Sequence, residues 1–183
     1  MKSLTPDQAA VVLRQGALIA YPTEGVYGLG CDPFNEAAVR RLLALKKRPM
    51  EKGLILVAAE MAQILPLVRF DGIDRSQVEA HWPGPVTWTL PATETVPEWI
   101  RGRFDTVAVR ISAHPVVQAL CRAFGGAVVS TSANPAGQSP AMNCDQVASY
   151  FGDQLAGCVL GELGGQAGPT PIFDARTGQQ LRG

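Results

Sequence analysis

The chain has 183 residues, 46% of them hydrophobic and 17% charged, which fits one globular domain whose core needs no metal or disulfide to fold. Sixteen Lys and Arg balance sixteen Asp and Glu, which excludes a histone-like binder working through bulk charge, and the apolar content excludes a disordered chain. No apolar run approaches the roughly 18 residues that span a bilayer, and Met1-Lys2-Ser3-Leu4 leads into Pro6 and Asp7 without a signal-like segment, so a soluble, cytoplasmic protein is expected.

Helical and extended patterns alternate along the chain. Thr5-Pro6-Asp7-Gln8 is a capping box with proline at the first helical position, and it opens a helix that stops at Gly16. Residues 17–21 read as a strand. Asn35 caps a second helix with Val39, Leu42, Leu43 and Lys46 on recurring turns, ended by Pro49. Residues 54–58 are wholly apolar, as in a strand covered on both faces. A weak helix is expected over 74–82 and strands over 86–90 and 106–111. Residues 114–124 carry Val117, Leu120, Cys121 and Phe124 at helical spacing. A strand at 127–130, a helix at 145–151 and short strands at 158–160 and 171–173 complete the pattern. It predicts a single α/β domain over residues 1–183, built on a twisted, mixed open sheet.

Cysteines 31, 121, 144 and 158 lie far apart with no C-x-x-C, and His81 and His114 match no zinc-ligand spacing. No tightly bound metal is expected, and the cysteines read as buried or half-buried thiols of a reducing compartment.

The donor-rich segments carry the chemistry. Tyr21–Gly30 follows a strand and holds Gly25, Gly28 and Gly30, which would let backbone N–H groups approach a ligand. It is neither a dinucleotide fingerprint nor a P-loop. Arg40, Arg41, Lys46, Lys47, Arg48 and Lys52 crowd into thirteen residues opposed only by Glu51. Such a cluster is commonly a solvated helix face, yet Lys46–Arg48 sits at the helix end, where cations meet terminal carbonyls or reach an anion. Ser130-Thr131-Ser132-Ala133-Asn134 follows the strand at 127–130, where open α/β sheets place ligands. Trp82–Thr87 is a rigid turn into a strand. Arg110 ends an apolar run, so its guanidinium needs an anionic partner, Asp105 or Asp174 if that partner is structural. No G-x-S-x-G and no acid–base carboxylate pair is present. Glu24 is the one acid set in a donor-rich loop. A cationic, hydroxyl-rich site without a nucleophile suits catalysis by positioning and charge stabilisation, as in nucleotidyl transfer.

In combination, Tyr21–Gly30, Lys46-x-Arg48-Pro49, Trp82–Thr87, Val107–Arg110 and Ser130–Asn134 resemble the YrdC-like family, in its short threonylcarbamoyl-AMP synthase (TsaC-type) form. The resemblance implies a YrdC-like fold with a basic concave cleft. It also implies that L-threonine, bicarbonate and ATP become L-threonylcarbamoyl-AMP and diphosphate, with Mg²⁺ carried in on ATP. Other proteins then pass the threonylcarbamoyl group to the tRNA adenosine beside the anticodon. The family's catalytic Lys/Arg/Ser/Asn set maps to Lys46, Arg48, Ser132 and Asn134. ATP is expected at Arg48, Lys52, Ser130, Ser132 and Asn134, and threonine at Thr23, Arg110 and Thr170. Two segments depart from the family pattern, Gly25 in the Tyr-Pro-Thr-Glu loop and Pro169-Thr170-Pro171 near the end.

The competing reading is an RNA-binding module gripping tRNA or rRNA in a basic cleft, and weak RNA contact is kept as a further partner. The neutral total charge and the lack of an aromatic-rich RNP-like strand count against it.

Overall fold

In the computed structural model, which describes residues 1–182, ten strands among the described residues form one mixed sheet. The elements run β1 (Ser3–Leu4), α1 (Pro6–Arg14), β2 (Ile19–Pro22), β3 (Tyr27–Gly30), α2 (Glu36–Lys46), β4 (Ile55–Ala58), α3 (Met61–Ile64), α4 (Arg75–Glu79), β5 (Thr87–Pro91) and α5 (Glu98–Arg101). They continue with β6 (Thr106–Ile111), α6 (Pro115–Phe124), β7 (Val128–Ser132), α7 (Cys144–Phe151), β8 (Gly157–Val159), β9 (Ile172–Asp174) and β10 (Gln180–Arg182). The spatial order is β1-β8-β2-β3-β7-β4-β6-β5-β9-β10.

The local signals explain most boundaries. Thr5 and Gln8 exchange both capping-box bonds at α1, and Pro6 and Pro115 open α1 and α6 without wasting an amide donor. Asn35 and Asn143 each accept an amide hydrogen at the start of α2 and α7. Strand β3 was not expected. Its Tyr-Gly-Leu-Gly sequence has low strand propensity, but all four residues pair with β2, and Gly28 and Leu29 also pair with β7. The two-residue β1, the one-turn helices α3 and α5 and strand β10 likewise lack a local pattern; pairing or packing creates them.

Side-chain alternation divides the core. Ile19, Tyr21, Val57 and Val128 point to one face, beneath α1 and α6 with Leu13, Val117 and Leu120. Ala20, Leu56, Ala58 and Val129 point to the other face, packed with Val39 and Leu42 of α2, Ile100 of α5 and Val147 of α7. The α1–α6 layer covers only part of its face. Beyond it, the same faces of β4, β6 and β7 continue as Ile55, Ala108, Arg110, Ser130 and Ser132, which line cavities. An uncovered stretch of sheet is therefore the floor of the site.

The cysteine reading is corrected in part. Cys31 and Cys121 are free and buried, and desolvation pushes both thiols up to about 12. Cys144 and Cys158, however, form a disulfide. They are 14 residues apart in sequence, so no short motif announces them, but the return from α7 into β8 brings their Cα atoms to 6.1 Å. Reducing this bridge should lower unfolding stability by about 2–3 kcal/mol for so short a loop. Denaturant midpoints with and without a dithiol, with Cys144→Ser as the reduced reference, measure the effect. Equal midpoints would show that the bridge adds nothing.

Candidate functional site

A cavity of about 280 Å³ lies on the uncovered sheet face, between the β2–β3 turn, the end of α2, the end of β7 and the segment before β9. It collects Thr23, Lys46, Arg48, Lys52, Arg110, Ser130, Ser132, Asn134 and Thr170, which is every residue expected at the site. Lys47 and Arg182 join them. The sequence reading missed Arg182, because three residues of a C-terminal edge strand, Gln-Leu-Arg, carry no signal until β10 pairs with β9.

The β7 end departs from the expected loop. The strand runs two residues further, to Ser132, so Ser130 and Ser132 share the cavity face and Thr131 pairs with Leu29 on β3. Just beyond, the Ser132 hydroxyl donates to Asn134 Oδ1 at 2.6 Å, and Asn134 Nδ2 donates to the carbonyl of Gln138 at 2.7 Å.

Lys46 braces this end. Its ammonium donates to the Ser132 carbonyl at 2.5 Å, the Asn134 carbonyl at 2.9 Å and Asn134 Oδ1 at 3.3 Å. Three protein oxygens thus lie within hydrogen-bond reach of an ammonium that also lines the cavity. Burial, and then the charge of Arg48, push Lys46 down to about 8. Lys47 closes α2 in the left-handed region at φ 49°, which turns the chain sharply and redirects Arg48. Arg48 donates through Nη2 to the Gly53 carbonyl at 2.9 Å, and burial lowers its pKa from the usual arginine value.

Arg110 is 3% exposed, and its partner is neither Asp105 nor Asp174. Asp105 pairs instead with Arg176, at 2.8 Å, because both are exposed, one just before β6 and the other just after β9. Arg110 donates through Nη1 to Thr170 Oγ1 at 2.5 Å and holds Nη2 3.4 Å from Glu24 Oε2. Glu24 is also buried, and its Oε1 accepts from the Ser112 hydroxyl at 2.6 Å. Thr23 donates its hydroxyl to the Val26 carbonyl at 2.7 Å, closing the turn that carries Glu24. Arg182 donates to the Thr170 carbonyl at 2.9 Å, and desolvation of its guanidinium, then Arg110 and Arg48, lower its pKa.

Two of the three glycines serve packing instead of ligand approach. A Cβ on Gly25 would stand 1.9 Å from the Gly168 carbonyl, and one on Gly30 would stand 2.7 Å from the Tyr21 ring. Only Gly28 faces the cavity. The segment over 161–170 crosses the Thr23–Val26 turn through Gly164 N–H to the Thr23 carbonyl and Gln166 N–H to the Glu24 carbonyl. Gly25 is thus the price of that close crossing.

A second cavity of about 410 Å³ adjoins the first, sharing Arg48, Lys52, Leu54, Ile55 and Arg182 with it. Its far walls include Ile100, Phe104, Ala108 and Ile172. The two together offer an apolar recess, a cluster of cations at the junction and a polar end built on Arg110.

The family model described as "Telomere recombination" (Sua5/YciO/YrdC) matches residues 11–182. A threonylcarbamoyl-AMP synthase of Cellvibrio japonicus is 52% identical over 183 residues, covering 98% of this chain and 97% of that protein. One of Vibrio cholerae is 53% identical over 179 residues, covering 96% and 95%. A solved structure of P. abyssi Sua5 complexed with L-threonine has a TM-score of 0.85 and 33% identity, over 92% of this chain. The chain spans about half of that Sua5, since 50% of it is covered. E. coli YciO shares the fold at a TM-score of 0.82 and 23% identity, over 97% of this chain and 90% of that one. With nearly its whole length matched by the family model and by relatives of like size, the chain belongs to the Sua5/YciO/YrdC family.

Proposed function

We propose that the chain is a threonylcarbamoyl-AMP synthase, joining L-threonine, bicarbonate and ATP into L-threonylcarbamoyl-AMP with release of diphosphate. The observation that carries this reading is near full-length identity of about half to relatives of that name, on a chain whose site gathers cations and hydroxyls around one cavity. The reading as an RNA-binding module is not supported by these relatives.

The chemistry fits this set of side chains. Threonine's amine and bicarbonate give a carbamate with loss of water. A carbamate oxygen attacks the α-phosphorus, and diphosphate leaves. No protein nucleophile is needed; the enzyme's work is alignment and neutralisation of charge. Arg48, Lys52 and Arg182, at the junction of the cavities, face the phosphates, and the apolar recess beside them receives the base. Ser130, Ser132 and Asn134 hold the nucleotide and carbamate in line, with Lys46 fixing the strand end that presents them. Arg110 takes the threonine carboxylate through its planar fork, between Thr23 and Thr170. The first cavity's lining presents no carboxylate, the adjoining one includes Asp105 and Asp174, and no cluster of three His, Cys, Asp or Glu is found among the described residues. Mg²⁺ carried in with ATP would spread the charge of the phosphates, beside Arg48, Lys52 and Arg182. Threonylcarbamoyl transfer to tRNA falls to other proteins.

Incubation with ATP, Mg²⁺, threonine and labelled bicarbonate tests the reading. Label should appear in an adenylate, with diphosphate formed only when both threonine and bicarbonate are present. Release of ADP and orthophosphate would sink attack at the α-phosphorus.

A further inference from the structure

Six basic residues line the first cavity, and its lining contains no acid. Behind the lining sits one carboxylate. Among the described residues, Glu24 is the only acid in an ion pair with a cation of this cavity. The pair is buried on both sides, with side-chain exposures of 4% for Arg110 and 9% for Glu24. It is also held from both ends. Ser112 donates to Glu24 Oε1, and the Ser112 oxygen in turn accepts the His114 amide at 3.1 Å. At the other end Thr170 accepts from Arg110 and stands 3.3 Å from the Thr87 hydroxyl. Among the described residues Arg48 and Lys52 have no such counter-charge; Arg48 donates there to a neutral carbonyl.

We infer that Glu24 is a positioning and specificity-determining residue that makes the Arg110 end of the cleft selective for a zwitterion over a second anion. The inference rests on the proposed function, in that Arg110 receives the amino-acid carboxylate.

The physical reason is charge. An amino acid carries an ammonium one carbon away from its carboxylate, so it is neutral as a whole. A buried arginine without a counter-ion repels that ammonium, and in low dielectric its charge reaches far. It would also attract phosphate more strongly than carboxylate, in a cleft that must hold triphosphate a short distance away. Glu24 cancels the net charge behind the fork and leaves the directional N–H donors. The cleft is thereby divided into a cationic half for phosphates and a neutral half for the amino acid. The position of Glu24 outside the lining is what this role requires, because it acts through Arg110.

The test is steady-state kinetics with inorganic phosphate as the probe anion. In the native chain, phosphate should compete with ATP and leave the threonine KM unchanged. In Glu24→Gln, which keeps an acceptor for Ser112 but removes the charge, the threonine KM should rise about tenfold or more. Phosphate should become competitive with threonine, while the ATP KM stays within about twofold. Glu24→Asp should recover part of the threonine KM. Glu24→Gln combined with Arg110→Gln should lose the new phosphate competition. A merely structural Glu24 would lower the melting temperature without creating competition between phosphate and threonine, and that result would overturn the inference. So would competition between phosphate and threonine in the native chain, a measurement that needs no variant to fold. A native chain that uses ATP but shows no dependence on any amino acid would overturn the functional reading and this inference together. Normal threonine use with Glu24→Gln indistinguishable from native would overturn this inference alone.

Discussion

Arg48→Ala is expected to lower kcat by roughly 10²-fold or more while shifting the melting temperature little. Arg48 lies one residue past the left-handed Lys47, off the helix axis, and it borders both the first cavity and the apolar recess. Its side-chain hydrogen bonds all go to the Gly53 carbonyl, and for a half-buried guanidinium their loss lies at the low end of about 1.5–3 kcal/mol. Against that modest structural role stands a partly desolvated guanidinium with no carboxylate paired to it among the described residues. Folding bears that desolvation cost, and a polyphosphate relieves it. A donor aimed at charge that develops in the transition state is worth about 3–4 kcal/mol of barrier, hence the size of the expected loss. Turnover and thermal melts on the same preparation check it. Full activity with a markedly lower melting temperature would assign Arg48 to the scaffold instead.

Lys46→Met should reduce turnover by about one to two orders of magnitude and, unlike Arg48→Ala, also lower stability. The change leaves the Ser132 and Asn134 carbonyls and Asn134 Oδ1 without their shared donor. Buried oxygens that lose a charged donor cost a few kcal/mol between them, and misplacing Ser132 and Asn134 disturbs alignment at the reacting atoms. The pH dependence separates Lys46 from its neighbours. Its folded value, about 8, lies below the ordinary lysine value of about 10.4. Between those two values the unfolded chain holds more protons than the folded one, so this group's contribution to stability rises with pH across that window. Below pH 8 both states are protonated and the contribution is flat. The stability of the native chain relative to Lys46→Met should therefore be constant up to about pH 8 and grow from there towards 10.5. A difference that stays flat through that range would show that folding does not lower the Lys46 pKa.

Local chemistry determined much of this molecule in advance. A capping box, asparagine caps, proline placement and helical spacing set α1, α2, α6 and α7, because each signal acts within a few residues of the helix it shapes. Short apolar runs set β4 and β6 for the same reason. The residue types of the site were legible too: Lys46, Arg48, Arg110, Ser130, Ser132 and Asn134 stand out as donors in places where a core has no use for them.

What those donors do was decided only by tertiary structure. Lys46 and Arg48 are two residues apart in a basic run, yet Lys46 is tied to the β7 end while Arg48 reaches on into the second cavity, since the left-handed turn at Lys47 separates their directions. Arg110 found its carboxylate 86 residues earlier, in Glu24, while the nearer Asp105 went to Arg176. Arg182 entered the cleft from an edge strand, and Cys144 met Cys158 across a helix-to-strand return. Pairings of this kind depend on which strands become neighbours, and the sheet order follows from burying two apolar faces at once, a condition no single segment carries.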